Sequence, residues 1–207
     1  MTLKSVTVVD YGLCNIDSMV RALEECGGSV LVTKDPRDVE RAERIILPGV
    51  GSFHRAMGNL RDLGLVTAIR SRGSSASTPM LGVCLGMQLM ASRGTEHGDA
   101  TGLQLLDGVV EPLIPNEGER LPHIGWNSVE ASSAMLMNGI PYGSDFYFVH
   151  SFHFRPIEPY WVVGTTPYAG GFCSVVGDPD RMIFGVQFHP EKSQKMGFRV
   201  LRNFLAI

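Results

Sequence analysis

The sequence predicts an α/β protein: a central, mostly parallel sheet flanked by helices, with an additional antiparallel β-rich portion in the second half. Three observations lead there. Short β-branched runs alternate with segments of helical apolar spacing through about residue 90. Beyond about residue 109 that alternation gives way to a series of short strand-like runs. A chain of 207 residues, 44% hydrophobic, is also long and apolar enough to build one core without metals or disulfide staples. No repeat, low-complexity stretch or linker divides it, so residues 1–207 are expected to form a single domain.

Each element has its own signal. Ser5 to Val9 is a β-branched strand ending in the turn Asp10-Tyr11-Gly12. Ile16, Met19, Val20 and Leu23 recur at helical spacing, and Gly27-Gly28 stops that helix. Val30 to Thr33 is a second strand. Pro36 opens a short helix, where its missing N–H costs nothing. Arg44 to Leu47 is a third strand, followed by one long helical stretch from about His54 to Arg72. Ser71 to Ser77 is a polar loop. Met80 to Val83 is the fourth strand, and a helix starts at Leu85. The later strands are Val109–Leu113, Phe146–Val149, Trp161–Thr165, Phe172–Val176 and Ile183–Phe188, with an amphipathic helix from Phe198 to Leu205.

Composition excludes several function classes. The net charge of −3 is spread along the chain with no Lys/Arg run, which argues against a nucleic-acid or membrane-surface partner. The first residues run straight into a strand with no signal peptide, and no apolar run reaches the roughly 18 residues of a membrane span. Cys14, Cys26, Cys84 and Cys173 suit neither a disulfide framework nor a zinc site, so a reduced, cytoplasmic setting is expected.

The chemistry-bearing motif is Gly82-Val83-Cys84-Leu85-Gly86, between an apolar strand and a helix. It is the cysteine counterpart of the Gly-x-Ser-x-Gly nucleophile elbow. A nucleophile on so sharp a turn has strained backbone angles, and side chains two residues before and after it would collide. The N–H groups of the following helix point toward the sulfur and favour its anionic form. The plain alternative is a buried cysteine with glycines for close packing. A cysteine nucleophile needs a base, and the base an orienter. His189-Pro190-Glu191, just after the last strand, supplies both, with Pro190 stiffening the link. Zinc ligation by Cys84, His189 and Glu191 is the rival reading, but no fourth ligand has convincing spacing. In Pro48-Gly49-Val50-Gly51, glycines after a strand expose N–H groups to a developing oxyanion, or simply form a tight turn.

Together these residues resemble the class I glutamine amidotransferases. The elbow reads Gly-Val-Cys-Leu-Gly-Met-Gln over residues 82–88, and the distal motif Gly-Val-Gln-Phe-His-Pro-Glu-Lys-Ser over residues 185–193. Asp10-Tyr11-Gly12 with Asn15, Pro48-Gly49-Val50-Gly51 with Phe53, Leu121 to Asn127 and Tyr147 to Ser151 narrow the resemblance to the glutaminase subunits of imidazole glycerol phosphate synthase, over nearly the whole chain. The resemblance implies that fold, a Cys84–His189–Glu191 triad, and a glutamyl thioester intermediate that releases glutamate and ammonia. It implies an oxyanion site at Val50, Gly51 and Leu85, and glutamine held by Gly49, Gln88, Ser151 and Phe152. Asn15, His123, Trp126, Asn127, Tyr147 and Lys192 match partner-interface positions. The implied partner is a cyclase subunit with a (β/α)₈ barrel that uses the ammonia in histidine biosynthesis. No metal or cofactor is implied. Cys14 stands where the family usually has glycine, and reads as a small loop residue rather than a redox group. Arg93 to Gly98 and His150 to His153 are also similar to paralogues that supply a sugar amidotransferase in surface-polysaccharide synthesis, so two destinations for the ammonia stay open, with a non-catalytic scaffold as a third reading.

Overall fold

The computed structural model describes residues 3–133 and 135–207. The first half alternates as its sequence periodicity requires: β1 (Lys4–Val9), α1 (Ile16–Glu25), β2 (Gly28–Thr33), α2 (Pro36–Glu40), β3 (Ile45–Leu47), α3 (Phe53–Asp62), α4 (Leu65–Gly73), β4 (Met80–Val83) and α5 (Leu85–Leu89). The second half is strand-rich: β5 (Arg93–Gly94), β6 (Ala100–Thr101), β7 (Gly108–Pro112), β8 (His123–Ala131), β9 (Ser144–His150), β10 (Phe152–Pro156), β11 (Val162–Thr166), β12 (Phe172–Asp178) and β13 (Ile183–Val186), closed by α6 (Gln194–Ala206).

Nine strands form the main sheet in the order β2-β1-β3-β4-β13-β12-β11-β8-β9. From β2 to β13 the neighbours are parallel, and from β13 to β9 they are antiparallel. A second sheet runs β10-β7-β5-β6. The inner parallel strands β3, β4 and β13, and the second half of β1, are buried on both faces, as helix-covered strands must be, whereas β2 at the sheet edge is largely exposed. The buried side chains alternate between two cores. Val6, Val8, Ile46, Leu81 and Val83 pack with α1 and α6, while Val9, Ile45, Leu47 and Met80 pack with α2, α3 and α4. The parallel strands β4 and β13 are adjacent, in the register Val83–Val186. The turns after them, which carry Cys84 and His189, therefore emerge side by side.

Several expectations change: α6 begins one turn earlier than expected, at Gln194, and the last strand ends at Val186 rather than Phe188. The stretch from His54 to Arg72 is two helices, because the chain turns at Leu63-Gly64, where Gly64 has φ +69°. Trp161 lies in a 3₁₀ turn before β11 rather than in the strand. β8 and β10 escaped the sequence reading, as did the two-residue strands β5 and β6. Along β8 burial does not alternate strictly, so no period of two marks it. In β10 the Phe-His-Phe-Arg-Pro run is short and mixed in polarity.

Candidate functional site

The site begins with the backbone at Cys84. This residue has φ +53° and ψ −109°, a conformation that costs a non-glycine residue energy and turns its side chain off the sheet end. The flanking glycines are steric necessities. A Cβ at Gly82 would lie 2.6 Å from the Met87 nitrogen, and one at Gly86 only 1.7 Å from the Leu47 carbonyl oxygen. The turn is pinned to the neighbouring strand by the Cys84 N–H donating to the Val186 carbonyl at 2.8 Å. Neither Gly82 nor Gly86 therefore admits a side chain without a backbone shift.

His189 and Glu191 leave β13 on the adjacent turn. The His189 Nδ1–H donates to Glu191 Oε1 at 2.8 Å, and both side chains are only 3% exposed. That bond leaves Nε2 for the sulfur. Nε2 is buried without a partner of hydrogen-bonding geometry among the described residues. Burial alone would push the imidazole down, but the charge of Cys84 and then the Glu191 carboxylate override it and hold His189 up at about 10. The three side chains thus form one electrostatic unit.

Beside the sulfur lies a cleft of about 340 Å³ lined by Gly51, Ser52, Cys84, Leu85, Gln88, Glu96, Pro122 and residues 149–152. It gathers the expected Gly51, Leu85, Gln88, Ser151 and Phe152. Gln88 is buried, and its Nε2 donates to the Phe152 carbonyl at 2.8 Å and to Gln187 Oε1 at 3.1 Å. Glu96 was not foreseen. It follows β5 in a stretch without periodicity, and its Oε2 accepts the Phe53 N–H at 2.6 Å, which fixes a carboxylate at the cleft wall.

The expected oxyanion donors are present but engaged. The Val50 N–H donates to the Leu13 carbonyl at 2.8 Å, and the Leu85 N–H faces the Gly49 carbonyl at 3.4 Å. The Gly49 carbonyl and the Val50 N–H belong to one peptide unit. Turning that unit over would release both donors. Gly49 itself has no room for a side chain, since a Cβ would meet the Tyr11 hydroxyl, which donates to the Pro48 carbonyl at 2.6 Å.

The six expected interface residues divide. Trp126 is 48% exposed and pairs across β8 and β9 with Tyr147, their rings 6.1 Å apart. Lys192 lies over the Tyr147 ring at 5.7 Å, and exposed Asn15 precedes α1, which packs on the turn carrying Lys192. Ile124, 60% exposed, extends this apolar face. His123 is placed differently. It is buried, stacked on Phe148 and Tyr168, and so lies behind the surface rather than on it. Half-buried Asn127 donates to His123 Nε2 at 3.2 Å. His123 Nδ1 lies 3.1 Å from His150 Nε2, and His150 Nδ1 donates to the Phe152 carbonyl at 2.8 Å. Burial pushes His150 down to about 3, so both rings are neutral and each donates from Nδ1.

Comparison with known proteins bears on the same residues. The family model described as glutamine amidotransferase class-I matches residues 7–207. The chain is 45% identical, over 98% of its length and 94% of the relative's, to the imidazole glycerol phosphate synthase subunit HisH of Moorella thermoacetica. It is 43% identical to subunit HisH 1 of Prochlorococcus marinus, covering 98% and 97% of the two chains. In fold it is similar to a putative GMP synthase component from Thermoplasma acidophilum, with a TM-score of 0.77 at 19% identity over 100% and 94% of the chains. It is also similar to PurLQS from Thermotoga maritima, with a TM-score of 0.72 at 20% identity over 100% and 99%. The family match spans nearly the whole chain, including the Cys84, His189 and Glu191 cluster at the ends of adjacent parallel strands: the chain belongs to the class-I glutamine amidotransferases.

Proposed function

We propose that this chain is the glutaminase subunit of an imidazole glycerol phosphate synthase, hydrolysing glutamine and passing the ammonia to a cyclase subunit in histidine biosynthesis. The observation that carries the reading is the strained Cys84 elbow beside the His189–Glu191 pair, in a chain alike along its whole length to subunits of that name.

In this reading residues 1–207 act as one amidotransferase domain. Glutamine enters the cleft with its α-ammonium between the Glu96 carboxylate and Gln88 Oε1, and its carboxylate near the backbone of Ser151 and Phe152. The Gly49–Val50 peptide turns over, so the Val50 and Leu85 N–H groups face the side-chain carbonyl oxygen, with Gly51 as the hinge. The Cys84 thiolate attacks the amide carbon. As the carbon–nitrogen bond breaks, the His189 imidazolium protonates the departing nitrogen and ammonia leaves. A glutamyl thioester remains. His189, now neutral, takes a proton from water, the hydroxide adds to the thioester carbon, and the thiolate departs from glutamate. Glu191 accepts the Nδ1–H throughout and stabilises the imidazolium.

Ammonia must stay unprotonated to act as a nucleophile, which favours delivery through a docked partner over release into water. The face formed by exposed Trp126, Ile124, Lys192 and Asn15 with half-buried Tyr147 is the proposed seat of that partner, a (β/α)₈ barrel. His123 and Asn127 support it from behind. The described residues include no helix long and apolar enough to cross a membrane, and four free thiols suit a reduced cytoplasm. The test is co-expression with candidate cyclase subunits. Cys84→Ala should abolish glutamine-dependent synthesis while added ammonia still drives it. Equal loss with ammonia would sink the donor role. Failure to complement a histidine auxotroph, with glutaminase activity intact, would redirect the ammonia to the sugar-modifying alternative.

A further inference from the structure

Gln187 has no part in the expected site, yet its side chain is the bridge between the nucleophile and the glutamine cradle. It is wholly buried. Its Nε2 donates toward the Cys84 sulfur at 3.6 Å, and its Oε1 accepts from Gln88 Nε2 at 3.1 Å. The two contacts fix which way round the amide sits. Rotated by half a turn, it would set its oxygen against an anionic sulfur and its NH₂ against the NH₂ of Gln88.

The constraint propagates. Both hydrogens of Gln88 Nε2 are used, one on Gln187 Oε1 and one on the Phe152 carbonyl. The Phe152 carbonyl is itself held by His150 Nδ1. Gln88 therefore has one orientation, and its Oε1, an acceptor only, is the atom left for the cleft it lines.

We infer that Gln187 is a positioning residue: its one amide sets the Cys84 sulfur and, through Gln88, the acceptor for the substrate's ammonium group, so that nucleophile and substrate are aligned by a single buried side chain. The inference rests on the glutaminase reading for its substrate half and on the Cys84 contact alone for its sulfur half.

The two halves are tested separately in the complex with its partner. Gln187→Met fills the same space without donor or acceptor. Glutamine KM should rise about tenfold, the loss of roughly one hydrogen bond to a charged group. The rate of iodoacetamide labelling of Cys84, followed on its own peptide by mass spectrometry, should move to higher pH. Gln88→Met should raise KM without moving the labelling curve. The double variant should match Gln88→Met in KM, because Gln187 reaches the substrate only through Gln88. If Gln187→Met does not fold, Gln187→Asn, which withdraws the amide by one methylene, should give the same pattern. Additive KM effects, or a labelling curve superimposed on that of the unsubstituted protein, would overturn the inference. If the unsubstituted complex releases no glutamate, the glutaminase reading fails, and the labelling curve still decides the contact with sulfur.

Discussion

Gly86→Ala adds one methyl group, yet it should nearly silence the enzyme. The new carbon would lie 1.7 Å from the Leu47 carbonyl oxygen and 3.2 Å from the Leu47 Cβ. Backbone must therefore shift by at least about 1.3 Å to bring the first contact out to the 3.0 Å below which real Cβ atoms essentially never approach. Either α5 rises off β3 or the end of β3 retreats, and both carry the site. Moving α5 displaces Cys84 and the Leu85 N–H. Moving Leu47 displaces Pro48 and the Gly49–Val50 peptide. Overpacking of this kind costs about 1–3 kcal/mol of stability. Misplacement of reacting groups by about 1 Å costs on the order of a hundredfold in rate. The variant should thus stay folded, with a lowered Tm, and lose about a hundredfold in glutamine-dependent kcat/KM. Thermal unfolding by circular dichroism and steady-state glutamate release measure the two effects. A folded Gly86→Ala protein with near-normal glutamine turnover would refute the claim that this contact holds the elbow in place.

Other outcomes follow from the same geometry. His189 is held up at about 10 in the folded chain against an ordinary 6.5, so its stabilising pair is fully present below about pH 6.5 and is lost as pH rises through about 10; stability measured by denaturant titration should fall over that window, and the fall should flatten in His189→Asn. Burial keeps His150 near 3, so its ring should remain the neutral tautomer protonated at Nδ1 from pH 5 to pH 8, as nitrogen NMR of the labelled histidine can check. Gly51 sits at φ +103° with open space around its Cα, so Gly51→Ala meets strain and no clash; glutamine turnover should drop about tenfold, with ammonia-dependent synthesis unchanged in the same complex.

The elbow was legible because it is dictated locally. A strand, a strained residue and two obligatory glycines lie within five positions, and each glycine answers a backbone contact rather than a distant side chain. The His189–Glu191 pair was legible for the same reason, being two residues apart. The parallel half of the sheet could be read from its buried β-branched runs. What escaped reading depends on partners far along the chain. β8 becomes a strand by pairing with β9, and its mixed pattern gave no period. Glu96 matters only because Phe53 anchors it across 43 residues, and Gln187 only because Cys84 and Gln88 converge on it from the β4–α5 turn and from α5. His123 carried the right motif, but nothing in the motif says that Phe148 and Tyr168 enclose its ring.

The placement of the blocked donors also bears on control of the reaction. Two separate obstructions would need two separate rearrangements, but here the Gly49 carbonyl and the Val50 N–H are the two ends of one peptide. Its neighbours on both sides are anchored: Pro48 through the Tyr11 hydroxyl, and Phe53 through the Glu96 carboxylate. The freedom is therefore confined to the segment between them, where glycines at 49 and 51 keep the rotation inexpensive. The closed form loses little by opening, because it gives up one good hydrogen bond of 2.8 Å and one long contact of 3.4 Å. Val50, 37% exposed, projects from this segment, so a docked partner that favours the turned peptide needs to supply only a modest differential affinity. Glutamine would then be cleaved chiefly when a consumer for the ammonia is in place.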